Sequence, residues 1–102
     1  MDYARMTTTT FKPGLRAEGI RTIEGFIKEG DQGFKGHFIL APLDEPDKVV
    51  FITLWSSEEA MDTSWKRSST VKSALEDMLA QPVEMSQTQV LEMELLKAGI
   101  KA

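Results

Sequence analysis

Cysteine is absent and histidine occurs once among the 102 residues. The first absence removes disulfides, thiolate zinc sites and cysteine nucleophiles. The second removes metal sites built on two or more histidines and leaves His37 as the sole imidazole for a serine–histidine relay. No apolar run approaches the roughly 18 residues of a membrane span, and the opening MDYARMTTTT has neither the basic start nor the apolar centre of a signal peptide. Positive charge is not in excess. Twelve Lys and Arg against 16 Asp and Glu give a net charge of −4, which exerts no long-range pull on phosphate backbones. The expectation is a cytoplasmic protein with no membrane or nucleic-acid partner.

What remains is an ordinary globular composition, 41% hydrophobic and 27% charged, in a chain long enough for one core. Residues 1–102 are read as a single domain, with 94–102 as a C-terminal tail. The threonine run Thr7 to Thr10 predicts a strand closed by Phe11 and broken by Pro13 and Gly14, with Pro13 in the first turn of a helix. Leu15, Ile20, Ile23, Phe26 and Ile27 follow helical spacing up to a stop at Gly30, although Gly19 and Gly25 disfavour that helix. FKGHFILA and KVVFITLW predict a hairpin across PLDEPD. Ser56 with Glu59 reads as a capping box opening a helix on which Met61 and Trp65 share a face. A further helix from Ser68 or Ser69 presents Val71, Leu75, Met78 and Leu79, and VEMSQTQVLEME makes the last strand.

The order β-α-β-β-α-β defines an α+β, ferredoxin-like unit with an antiparallel sheet and helices on one face. Such a sheet should alternate polar and apolar residues, yet Val49 to Leu54 and His37 to Ala41 are almost continuously apolar. Something must cover the second face. A second copy packing sheet against sheet, as a homodimer, is the expected cover.

The stretch GFKGHFILAPLDEPDKVVFITLWSSEEAMDTSW resembles the central part of the antibiotic biosynthesis monooxygenase family: a glycine-led strand, a turn, an apolar strand ending in tryptophan, then serine and acidic residues opening a helix. The resemblance implies a dimeric α+β barrel. It also implies a small oxygenase of aromatic or quinol-like compounds, or a non-catalytic small-molecule-binding or regulatory barrel. In the haem-degrading branch a tryptophan is followed about ten residues later by a haem-ligating histidine, with an asparagine on the first strand. Trp65 matches the tryptophan, but Leu75 and Thr7 stand at the other two positions. Leucine cannot ligate iron, so no haem is expected. No other cofactor is expected either.

The candidate site residues follow. Tyr3, Arg5, Thr7, Thr9 and Phe11 share one face of the first strand, and the resemblance places that face on a pocket. Thr7 and Thr9 would offer hydroxyls and Arg5 a cation to a ligand oxygen. Trp65 either stacks on a flat apolar ligand or fills core, and Trp55 reads as a plug between sheet and helix. Phe11, Ile23 and Met78 would make the apolar wall. His37 is the candidate base for a phenolic substrate, against the plainer reading of a histidine merely accommodated in the sheet. By alternation it shares a face with Ile39 and Ala41, but the sequence does not say which face meets the helices. KGHFIL also partly resembles the RNA-stacking strand of RNA-recognition domains. It lacks the stacking aromatic, sits on the second strand instead of the third and belongs to an acidic chain.

Overall fold

The computed structural model describes residues 1–26, 31–66 and 69–95. Its elements are β1 (Asp2–Thr10), α1 (Arg16–Phe26), β2 (Phe34–Leu40), β3 (Lys48–Trp55), α2 (Glu58–Lys66), α3 (Ser69–Leu75) with a 3-10 turn at Glu76–Met78, and β4 (Glu84–Val90). The four strands form one antiparallel sheet in the order β2-β3-β1-β4. This is the ferredoxin-like arrangement that the order of elements implies. No helix among the described residues is long and apolar enough to cross a membrane.

Register assigns the faces. Thr7 opposes Phe51, and Phe51 opposes Ile39, so these side chains lie on one face with Arg5, Thr9, Val49, Thr53 and His37. That is the helix side: Val49 is buried with Phe11, Ile23 and Leu75, and Ile39, Phe51 and Met78 pack against this cluster. The other face carries Met6, Val50, Ile52, Phe38 and Leu40, and the described helices lie opposite it. On this open face Met6, Phe38 and Leu40 are 39%, 39% and 46% exposed. The apolar character of both faces is therefore real; Ala4 and Leu54 are buried on this one, but among the described residues no helix packs over Met6, Phe38 and Leu40.

Local chemistry corrects three expectations. Pro13 does not enter a helix. It occupies the second position of a turn in which the Leu15 N–H donates to the Lys12 carbonyl at 3.1 Å, and Gly14 follows at φ +83°, the conformation that this kind of turn demands of its third residue. The α2 cap is Ser57, not Ser56: Ser57 Oγ accepts from the Ala60 N–H at 3.1 Å, and Ala60 rather than Glu59 takes the third helical position. The last strand is confined to Glu84–Val90, an edge strand whose side chains are almost all exposed. Ile27, Gly30 and Ser68 lie outside the described residues, as does the tail beyond residue 95.

Gly19 has a packing reason that helix propensity alone conceals. A Cβ built there would lie 2.2 Å from the Phe11 ring, which is itself only 1% exposed. Alanine in a helix interior gains about 1 kcal/mol over glycine, whereas forcing atoms into a filled core costs about 1–3 kcal/mol. Because Phe11 has no room to retreat, the cost outweighs the gain, and Gly19→Ala is expected to lower stability by up to about 2 kcal/mol. Urea denaturation of the two proteins measures the sign directly, and a more stable variant would refute this packing account.

Candidate functional site

A cavity of about 1040 Å³ lies between the helix side of the sheet and the helices. Its floor is the alternating set Arg5, Thr7 and Thr9 from β1 with Phe51, Thr53 and Trp55 from β3. Ser64 and Trp65 of α2, and Val71, Lys72 and Leu75 of α3, form its helical wall, and Ile23, Phe26 and Phe34 close another side. The lining is mainly apolar with a few polar groups, the pattern of a small-molecule site.

Five of the candidate residues meet here: Trp65, Thr7, Thr9, Arg5 and Ile23. Phe11 and Met78 do not. Phe11 follows the end of β1, bridges to Leu79 and fills the core beneath Gly19, while Met78 packs on the same cluster from the 3-10 turn. His37 also lies outside the lining. It is on the helix side, but on the edge strand β2, where it is exposed and its ring lies 6.1 Å from that of Phe51 and 6.3 Å from that of Phe34. Leu75, at the position of the haem-ligating histidine in the resemblance, is a buried member of the apolar cluster.

Trp55 is 3% exposed, and its indole N–H donates to Thr53 Oγ1 at 2.9 Å. Its ring lies 5.2 Å from that of Phe34, tilted by 56°, which is a favourable aromatic geometry. Trp55 thus plugs the sheet end as expected and also forms cavity wall. The sequence reading missed Phe34, Phe51, Thr53 and Ser64. Phe51 and Thr53 could have been found by continuing the β1 alternation across the antiparallel pair, since they oppose Thr7 and Arg5.

Arg5 is the most unusual member. It is 7% exposed; one terminal guanidinium nitrogen donates to Ser64 Oγ at 3.1 Å and the other to the Met61 carbonyl. Its Nε–H is buried without an acceptor. Burial lowers its pKa from the usual arginine value, and the charge of Asp62 partly offsets this. Arg5 Cζ lies 5.2 Å from the centroid of the Trp65 ring, and Lys72 Nζ lies 3.6 Å from it, so two cations address one indole. Among the described residues no group of three or more His, Cys, Asp or Glu side chains could hold a metal ion.

A two-layer α+β chain with an aromatic-walled cavity between sheet and helices is the class that this geometry defines. The family model for antibiotic biosynthesis monooxygenases matches residues 2–77, and the chain belongs to that family. Similar solved structures include a monooxygenase from the gene ActVA-Orf6 of Streptomyces coelicolor in complex with nanaomycin D. It is 19% identical with a TM-score of 0.76, over 92% of this chain and 91% of that one. SnoaB, a cofactor-independent oxygenase from Streptomyces nogalater solved as a variant, is 19% identical with a TM-score of 0.73, over 90% and 95% of the two chains. NE2512 of Nitrosomonas europaea, a protein of unknown function, is 14% identical with a TM-score of 0.78, over 93% and 94%. At these identities the likeness is one of fold. No curated protein matches the chain.

Proposed function

We propose that this protein is a small oxygenase that holds an aromatic or quinol-like molecule in the cavity between sheet and helices, acts without haem and works as a homodimer. The observation that carries the reading is the cavity itself, walled by Trp65, Trp55, Phe34 and Phe51 and floored by Thr7 and Thr9, in a chain of the monooxygenase family. Two proteins of similar structure, a cofactor-independent oxygenase and a monooxygenase bound to nanaomycin D, support the same direction. The dimer is supported by the open apolar face of Met6, Phe38 and Leu40.

The chemistry needs little from the protein beyond placement. An electron-rich phenol and O2 give a quinone and water: one oxygen atom enters the ring, the other leaves as water with two hydrogens, and the substrate supplies all four electrons. The cavity would orient the ring on Trp65, offer threonine hydroxyls to its oxygens and keep bulk water from the intermediate.

The test is oxygen uptake with 1-naphthol under labelled O2. One O2 consumed per naphthoquinone formed, with one labelled atom in the product, is the expected result. Naphthol binding without uptake above the spontaneous rate would favour the second reading, a non-catalytic binding protein, which His37 favours by lying outside the cavity. Trp65→Ala is expected to weaken naphthol binding several-fold to tenfold, because stacking on an indole contributes about 0.5–1.5 kcal/mol beyond burial. Fluorescence titration of the folded variant measures this, and unchanged affinity would remove Trp65 from the site.

A further inference from the structure

We infer that the molecule taken by this cavity carries an ionised oxygen on its ring system, and that Arg5 is the residue that selects it; the inference rests on the cavity being a ligand site. A buried guanidinium is costly unless its charge and its donors are met. The next two positions on the same face of β1 are the threonines Thr7 and Thr9, a residue type that would fill the place at no such cost. Arg5 nevertheless has no carboxylate within ion-pair distance among the described residues, whose ion pairs are Lys35 with Asp2 and Lys48 with Glu45. Asp62 acts on it only through space, and its carboxylate accepts from Gln87 at 3.2 Å.

The donor account points the same way. A guanidinium carries five N–H groups. One is taken by the Ser64 hydroxyl and one by the Met61 carbonyl, both neutral acceptors, and the Nε–H has none. The side chain lines the cavity beside Trp65, so its charge borders the space that a ring held there would occupy. Lys72, also lining the cavity, adds a second cation at the same ring. Asp31 and Glu76 line the cavity as well, but the two charges placed on the Trp65 ring are both positive. A neutral hydrocarbon would leave Arg5 uncompensated, whereas a carboxylate or phenolate supplies both the charge and in-plane acceptors for a forked pair of hydrogen bonds.

The experiment compares 2-naphthoate with its neutral counterpart 2-naphthylmethanol on the wild-type protein, by calorimetry or tryptophan fluorescence. Naphthoate is expected to bind at least tenfold more tightly, the effect of a hydrogen-bonded charge pair. Arg5→Gln should abolish that preference, and Arg5→Lys should retain part of it. Lys72→Gln should reduce it by less than Arg5→Gln does. Measuring 2-naphthol below and above its ionisation then separates the sources. Tighter binding of the ionised form assigns a phenolate, whereas a preference confined to naphthoate assigns a carboxylate, and either supports the inference. Equal binding of naphthoate and alcohol, both weakened by Trp65→Ala, would overturn the role of Arg5 and leave the ligand site standing. If neither compound binds, both readings fall. The wild-type comparison needs no variant, so poor folding of Arg5→Gln cannot shield the proposal.

Discussion

Phe38→Asp and Leu40→Asp are each expected to leave a folded chain that no longer dimerises. In the single chain both side chains are more than a third exposed on the face that no described helix covers, so a carboxylate there stays hydrated and the fold loses little. In a sheet-to-sheet dimer the same carboxylate would be buried without a partner, which costs several kcal/mol, and two-fold symmetry presents each substitution twice. A dissociation constant raised at least a hundredfold corresponds to about 2.7 kcal/mol, well inside that penalty. Ile52→Asp acts on the same face. Phe51→Asp, one residue away, faces the apolar cluster instead and should damage the fold rather than the assembly. Light scattering and circular dichroism on these variants separate the two outcomes. A wild-type protein that is monomeric at micromolar concentration, or dimers indifferent to Phe38→Asp and Leu40→Asp, would remove the homodimer from the proposal.

The element order was legible because it depends on short-range chemistry: β-branched runs, Pro and Gly at turns, and serine before an acidic helix start. The alternation that groups Arg5, Thr7 and Thr9 is also local, and it places all three on the cavity floor. What the sequence left open depends on pairing across distance. The face taken by His37 could not be read from a strand apolar on both sides; it follows from His37 opposing Thr53, which in turn opposes Arg5. Two adjacent serines made the cap ambiguous by one residue, and the bond to the Ala60 N–H decides it. The partners of Arg5 come from Met61 and Ser64 on another element, and nothing near Arg5 in the chain announces them. Phe11 keeps the alternation, since it packs with Val49, Ile23 and Leu75 on the helix side, but at this end that side is filled core and not cavity. It lies beyond the last residue of β1, where the Lys12 to Leu15 turn begins.

That placement yields a sharp contrast between two aromatic truncations. Phe11 is 1% exposed, packed with Ile23, Val49 and Leu75 and pressed against Gly19, so Phe11→Ala opens a void in the centre of the cluster. A buried phenylalanine cut to alanine costs about 3–5 kcal/mol, a large share of the 5–15 kcal/mol that holds a small domain together. Because its ring does not line the cavity, the folded fraction should bind naphthol with unchanged affinity. Trp65 is half-buried and does line the cavity, so Trp65→Ala should show the opposite balance, with affinity lost and less stability lost. If Phe11→Ala leaves too little folded protein to titrate, Phe11→Leu makes the same comparison with a smaller void. Urea denaturation and naphthol titration on each variant give two numbers per protein. A Phe11 variant that keeps its stability but loses affinity would return Phe11 to the pocket wall and undo the boundary drawn here between core and site.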